Sequence, residues 1–234
     1  LNIDFVDPDR GPSARVAVEL SAESARNLVR SIEAALARAE ARGLVLSGEQ
    51  ADALAHVTDG RDLGMVVGYA GTGKSAMLGV AREAWKSAGY TVRGAALSGI
   101  AAEGLENGSG IASRTIAGLE HQWEQGRELL TARDVLVIDE AGMVGTRQME
   151  RVLSEAERAG AKVVLVGDAE QLQAIEAGAA FRALAERHGA AEINEVRRQH
   201  EDWQRDATRA LATGRGPLCA YSRMSSRRAA TALS

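Results

Sequence analysis

Short apolar runs alternate with longer amphipathic stretches along most of the chain. Two of the apolar runs are nearly free of polar residues, which is typical of strands buried on both faces of a parallel sheet. The runs predict four strands, at residues 65–69, 91–95, 134–138 and 162–166. Apolar residues at helical spacing predict helices at about 74–88, 99–106, 113–125, 146–159, 178–188 and 201–213. Strands that alternate with helices predict an α/β fold with a parallel sheet flanked by helices.

The chain before this region predicts a short helical segment. Residues 21–42 place their apolar side chains on one stripe, with Ser21 as a helix cap and Gly43 as a stop. Ser47 and Gln50 have the spacing of a capping box and predict a second helix that ends at about residue 57. The first twenty residues contain two prolines and predict an irregular or strand-containing lead-in.

Composition narrows the class of protein. The 234 residues are 45% hydrophobic and 26% charged, the balance of a globular protein. No apolar run approaches the ~18 residues of a membrane span, and the single cysteine, Cys219, has no partner for an internal disulfide. A cytoplasmic protein without membrane association is therefore expected. The net charge of −4 argues against a surface that coats nucleic acid everywhere, yet permits a local basic groove.

One glycine-rich segment carries the strongest chemical signal. It satisfies the phosphate-loop pattern G-x-x-x-x-G-K-[S/T], between a predicted strand and a predicted helix. Its glycines let backbone N–H groups converge on phosphate oxygens, and the positive end of the next helix adds to the attraction. Lys74, one of only three lysines, can reach the β- and γ-phosphates, and Ser75 can bind Mg²⁺. The predicted nucleotide-binding residues of the loop are Gly68, Tyr69, Ala70, Gly71, Thr72, Gly73, Lys74 and Ser75.

Two adjacent acids follow the predicted strand at residues 134–138. At the carboxyl edge of the sheet, Asp139 would bind the metal and Glu140 would act as the general base toward water. An isolated Asp-Glu pair is more often a solvated strand end, and the phosphate loop is what favours the catalytic interpretation. Gln171, beyond the next predicted strand, could sense the γ-phosphate or position water, although a polar loop is an equally good interpretation.

Taken in order, these elements resemble the RecD-like branch of superfamily-one DNA helicases, and within it the helicase region of TraA-type conjugative transfer relaxases. The resemblance covers about residues 44–213 and includes residues 46–50, which are similar to the Q motif. Segments similar to motifs I, Ia, II, III and IV lie at residues 68–75, 94–102, 138–143, 167–175 and 195–199. The resemblance implies a RecA-like fold, ATP and Mg²⁺ as cofactors, and adenine recognition by Gln50. It also implies γ-phosphate contact by Arg198, with Arg197 in reserve.

The family has parts that this chain would lack. A complete helicase of this kind carries a second RecA-like domain, and the conjugative relaxases add a relaxase domain. We expect an N-terminal segment (1–43), a RecA-like P-loop ATPase domain (44–213) and an irregular basic tail (214–234), with a truncation or frame shift near Arg215. Such a chain would hydrolyse ATP feebly and would not unwind DNA alone. The four histidines show no metal-ligand spacing: His56, His121, His188 and His200.

Single-stranded DNA is the expected partner. Residues 195–234 hold eight arginines against four acids, a basic end that could follow a DNA backbone. Trp123 and Trp203 could stack on bases, although packing is the commoner role, and Ser98 with Gly99 is the better candidate for phosphate contact. Two other classes stay open: a stand-alone P-loop kinase or ATPase that acts on a small molecule, and a non-catalytic remnant that binds nucleotide without turnover.

Overall fold

A computed structural model of the protein describes residues 5–6, 15–16, 22–168 and 179–194. The predictions for Gln171, Arg197, Arg198 and Trp203 lie outside the described residues, as do those for the last helix and the tail. Two short antiparallel strands precede the rest, β1 (Phe5–Val6) and β2 (Arg15–Val16).

A six-stranded sheet forms the centre of the described structure, and every neighbouring pair in it is parallel. The strands are β3 (Leu63–Gly68), β4 (Thr91–Ala96), β5 (Ser113–Thr115), β6 (Asp134–Ile138), β7 (Lys162–Gly167) and β8 (Ala191–Ile193). Their spatial order is β5-β4-β6-β7-β3-β8. Because parallel strands need crossover connections, helices lie between them in sequence and cover the sheet. The predicted α/β fold is confirmed.

The helices are α1 (Ala22–Ala41), α2 (Gly48–Val57), α3 (Lys74–Ser87), α4 (Gly99–Ser109), α5 (Ile116–Glu124), α6 (Thr146–Ala159) and α7 (Ala179–His188). A 3₁₀ turn spans Ala141–Met143. The predicted capping box is present, since Ser47 and Gln50 exchange side-chain-to-backbone hydrogen bonds at the start of α2. Among the described helices, none is both long and apolar enough to cross a bilayer.

The sequence-based prediction is wrong at two edges of the sheet. The predicted helix at 113–125 begins with strand β5, and β8 was not predicted at all. Both strands have three residues and no apolar run. They become strands because they hydrogen-bond to the longer neighbours β4 and β3, which local sequence cannot indicate.

Two apolar cores lie on the two faces of the sheet. Strand β6 is buried throughout and divides its side chains between them. Val135 and Val137 face the core that contains Trp85 of α3, while Leu136 and Ile138 face the core that contains Phe181 of α7. Burial of each large apolar side chain contributes roughly 1.5–3 kcal/mol. The cores thus hold the central strands rigidly, and their carboxyl ends present the site residues.

Candidate nucleotide site

The phosphate loop connects β3 to α3. Gly71 and Gly73 have left-handed φ values of 84° and 81°, a conformation that favours glycine. Thr72 is buried, and its hydroxyl donates to the Tyr69 carbonyl at 2.9 Å. No side chain caps the first turn of α3. The N–H groups of that turn can therefore bind phosphate oxygens at the positive end of the helix.

Lys74 bends back over this loop. Its Nζ donates to the carbonyls of Gly68 at 2.6 Å and Tyr69 at 2.8 Å. Burial lowers the pKa of Lys74 from its ordinary value, whereas the negative charges of Asp139 and Asp168 act in the opposite direction. The ammonium group of Lys74 thus donates to two neutral carbonyl oxygens. Negatively charged phosphate oxygens would accept stronger hydrogen bonds from it and would replace these carbonyls.

The two predicted carboxylates lie at the end of β6, next to β7, which Asp168 follows. Burial raises the pKa of Asp139, while the backbone N–H of Glu140 and the charge of Lys74 lower it. That N–H donates to Oδ1 of Asp139 at 2.9 Å. Glu140 has a φ of 53°, a left-handed conformation that costs energy in a residue other than glycine. Such strain persists where the surrounding fold imposes it, often at functional sites.

Gln50 joins the site from α2. It is only 1% exposed, and its Nε2 donates to the Thr72 carbonyl at 2.8 Å. Its Oε1 accepts from the Ser47 backbone N–H at 3.0 Å. A Cβ atom at Gly73 would collide with Nε2 of Gln50, so the loop glycine and the glutamine fit against each other. The structure therefore brings Gln50 to the phosphate loop, twenty-two residues away in sequence.

Two acidic residues belong to this neighbourhood although sequence reasoning did not select them. Asp168 follows β7, which lies between β6 and β3 in the sheet, and its charge acts on Lys74. Glu49 accepts from the backbone N–H of Asn194 at 2.7 Å and so ties α2 to the end of β8. Both lie inside segments that resemble helicase motifs, residues 46–50 and 167–175, but the sequence assigns neither a role of its own because it does not predict the spatial order of the strands.

The residues present fit a magnesium ion held together with a nucleotide. The part of the chain that the structure describes contains no group of three or more His, Cys, Asp and Glu residues that could hold a metal alone. Mg²⁺ typically takes one or two protein oxygens and fills its other positions with water and substrate phosphates. A serine hydroxyl in the first turn of α3 and a carboxylate at the end of β6, Ser75 and Asp139, suit that requirement.

The candidate DNA contacts lie on other elements. Ser98 caps α4, because its hydroxyl accepts from the Ala101 N–H at 3.1 Å. Ile100 in the first turn of α4 is 86% exposed, which is unusual for a large apolar side chain. Trp123 is half-buried against the core that contains Phe181, and its Nε1 donates to the Glu128 carbonyl. These contacts give Trp123 a packing role.

The parallel sheet, the phosphate loop after β3 and the acids after β6 define a RecA-like P-loop fold. The chain belongs to the AAA domain family, whose model matches residues 45–231. Residues 1–45 match a second model, a family of unknown function (DUF6295).

Relatives place the domain among superfamily-one helicases. The chain is 45% identical over 223 residues to the conjugal transfer protein TraA of Agrobacterium fabrum, covering 91% of this chain and 20% of that protein. It is 54% identical over 169 residues to TraA of Rhizobium radiobacter, covering 72% of this chain and 15% of that protein. The ATP-dependent RecD2 DNA helicase of Deinococcus radiodurans is 35% identical over 158 residues, covering 66% of this chain and 22% of the helicase. The chain thus spans about a fifth or less of the TraA proteins it matches.

Solved structures agree on the fold. The Pif1 helicase of Candida albicans superposes with a TM-score of 0.55 at 23% identity, over 76% of this chain and 46% of that one. A Pif1 helicase described in DNA unwinding at forked duplexes superposes with a TM-score of 0.54 at 18% identity, over 76% of this chain and 50% of that one.

Proposed function

We propose that this chain is an ATP-binding and ATP-hydrolysing motor domain of a DNA helicase that serves conjugative transfer. The observation that carries the proposal is the meeting of four sequence-distant segments at the phosphate loop. Lys74 lies where the charges of Asp139 and Asp168 both act on it, and Gln50 braces the same loop from α2. A turn that merely connected a strand to a helix would need none of these partners.

Each residue has a role in the proposed reaction. Lys74 leaves the loop carbonyls to bind the β- and γ-phosphates, and Ser75 and Asp139 hold Mg²⁺. The bound ion supplies neutralising charge to the phosphates. Glu140 accepts a proton from the attacking water. Gln171 would sense the γ-phosphate or position water, and Arg198 would contact the γ-phosphate, as the resemblance to helicase motifs III and IV implies. The resemblance likewise gives Gln50 the role of reading adenine.

The proposed partner is single-stranded DNA. The names of the relatives refer to conjugal transfer and to a DNA helicase. In this chain the candidate contact surface is the start of α4, where Ser98 caps the helix and Ile100 is exposed. Backbone N–H groups at a helix start suit phosphates, and an exposed apolar side chain suits a base or sugar.

The 234-residue polypeptide by itself should bind Mg-ATP, hydrolyse it slowly and leave duplex DNA intact. The described residues form one RecA-like sheet. A second domain that closes on the nucleotide would supply a further arginine, and an absent arginine of this kind costs roughly 10³–10⁵ in rate. Strand separation also needs two domains that move against each other in each ATP cycle.

ATP turnover measured with and without single-stranded DNA tests the proposal, with Glu140→Gln as the inactive control. Turnover that rises with single-stranded DNA supports a DNA motor. Turnover that ignores DNA but responds to a small acceptor molecule would instead establish a kinase. A strand-displacement assay on a tailed duplex completes the test, and ATP-dependent unwinding by the monomeric polypeptide would contradict the last expectation.

A further inference from the structure

Helix α4 ends against the start of the phosphate-loop helix α3. Ser75, Gly79 and Arg82 follow each other on one face of α3, at helical spacings of four and three residues. They face three consecutive residues where α4 ends: Gly108, Ser109 and Gly110. Ser75 is the proposed Mg²⁺ ligand, so the end of α4 touches the metal side of the site.

The contact between Gly108 and Ser75 leaves no room for a side chain. An ideal Cβ atom at Gly108 would lie 2.8 Å from Cβ of Ser75 and 3.1 Å from its Oγ. Among the described residues, excluding the backbone of α4 itself and the chain neighbours, no other heavy atom would come within 4 Å of that Cβ. Cβ of Ser75 is attached directly to the backbone of α3, so rotation of the side chain cannot move it away.

Helix α4 is also anchored where it ends and cannot easily withdraw from this contact. Gly110 ends the helix with a left-handed φ of 69°, and its carbonyl accepts from Nη1 of Arg82 at 2.8 Å. Gly79 of α3 lies so close to the end of α4 that a Cβ atom there would be 3.4 Å from the Ser109 carbonyl oxygen. A group added at Gly108 would therefore displace Ser75 and its turn of α3 as readily as it displaces α4.

We propose that Gly108 is a positioning residue for the metal-binding hydroxyl of Ser75. The absence of a side chain at Gly108 lets α4 lie directly on Ser75 and hold it in the orientation that Mg²⁺ requires. This inference rests on the proposed function, because it concerns the metal of that same nucleotide site. Groups behind a metal ligand commonly change metal affinity by roughly 10- to 100-fold when they are altered.

The test compares Gly108→Ala with Gly104→Ala. Both glycines lie exposed in α4, and both substitutions raise helix propensity. A Cβ at Gly104 meets no heavy atom within 4 Å among the described residues, apart from the helix's own backbone. Binding of a fluorescent ATP analogue is titrated with Mg²⁺ and repeated in EDTA. Gly108→Ala should need at least ~10-fold more Mg²⁺ for half-maximal Mg²⁺-dependent binding, a larger change than any loss of its affinity in EDTA, while Gly104→Ala behaves as the parent in both conditions.

The outcomes separate this inference from the proposed function. Equal Mg²⁺ requirements for Gly108→Ala, Gly104→Ala and the parent overturn the positioning role and leave the nucleotide site untouched. A parent chain that binds no Mg-ATP overturns the proposed function itself. Should Gly108→Ala fail to fold, Arg82→Met decides, because it removes the hydrogen bond from Nη1 to the Gly110 carbonyl that keeps the end of α4 against α3. A raised Mg²⁺ requirement in that variant supports the role, and a parental one overturns it.

Discussion

The Nε2 atom of Gln50 donates a hydrogen bond to the backbone carbonyl of Thr72 at 2.8 Å, in a position where Gln50 is almost wholly buried. This bond joins α2 directly to the phosphate loop. The other end of the carboxamide closes the capping box with Ser47. Both polar atoms of the carboxamide therefore have partners within the protein, and the bond to Thr72 supports the loop that would hold the phosphates.

Gln50→Glu should weaken Mg-ATP binding by at least ~10-fold, because a carboxylate cannot donate to the Thr72 carbonyl and leaves a buried acceptor unpaired. Calorimetry measures the affinity. Ser47→Ala serves as the control, since it removes the cap and should cost about 1 kcal/mol of stability without touching the loop. If both variants lose stability but bind Mg-ATP like the parent, Gln50 is a helix cap and no more.

Lys74→Ala should lower the affinity for Mg-ATP roughly 10- to 100-fold, the value of one or two hydrogen bonds to a charged group. The reason is that no other side-chain ammonium lies in the loop. Lys86→Ala provides the matched control, because Lys86 is an exposed lysine in the last turn of the same helix. Equal affinities of all three proteins in calorimetry would remove the phosphate-loop assignment.

Glu140→Gln should keep Mg-ATP binding and lower the rate of hydrolysis by about 10²-fold or more, since an amide cannot accept the proton of the attacking water. Asp139→Asn should behave differently and raise the Mg²⁺ requirement, because it removes a charged oxygen ligand. Single-turnover hydrolysis and Mg²⁺ titration distinguish the two. Unchanged hydrolysis by Glu140→Gln would move the role of base to another group.

Ile100→Asp should weaken binding of single-stranded DNA, because it replaces an exposed apolar side chain with a negative charge that phosphates repel. Val29→Asp is the control, since Val29 is a 53% exposed apolar residue on a different helix, α1. Fluorescence anisotropy with a labelled oligonucleotide at two salt concentrations gives the affinity. Equal losses for both variants would mean that the start of α4 is not the contact surface.

Lys162 should make stability rise with pH in the alkaline range. Burial lowers the pKa of Lys162 from 10.5 to about 8, although Asp59 and Asp62 oppose the shift. Between these two values the unfolded chain binds more protons than the folded one, so this residue's contribution to the free energy of unfolding increases as pH rises. Between a pH below both pKa values and a pH above both, the contribution of Lys162 to the free energy of unfolding changes by on the order of 3 kcal/mol.

Chemical denaturation at several pH values from about 7 to 11 measures this effect. Lys162→Met is the comparison, because it has no titratable group at this position; it also loses the hydrogen bonds from Nζ to the carbonyls of Asp59 and Arg61. The difference in stability between parent and variant should therefore change across the range. A constant difference would mean that Lys162 titrates normally.

Most of the sheet and its helices could be predicted from local pattern. β6 and β7 are almost wholly apolar, which indicates burial on both faces, and α6 has a clear apolar stripe with Gly160 as its stop. The phosphate loop is recognisable because its chemistry needs glycine and lysine at set spacings. β5 and β8 could not be predicted from local pattern, because a three-residue strand is stabilised by hydrogen bonds to a neighbouring strand rather than by its own side chains.

The sequence by itself determined the class of fold, the phosphate loop and the two acids after β6, because each depends on residues close together along the chain. Only the tertiary structure decided which distant groups meet there. The order β6-β7-β3 puts the ends of three strands side by side and lets Asp139 and Asp168 act together on Lys74. The bond from Gln50 to Thr72 and the contact of Gly108 with Ser75 arise in the same way, because packing of helices against a common sheet joins segments that no local pattern connects.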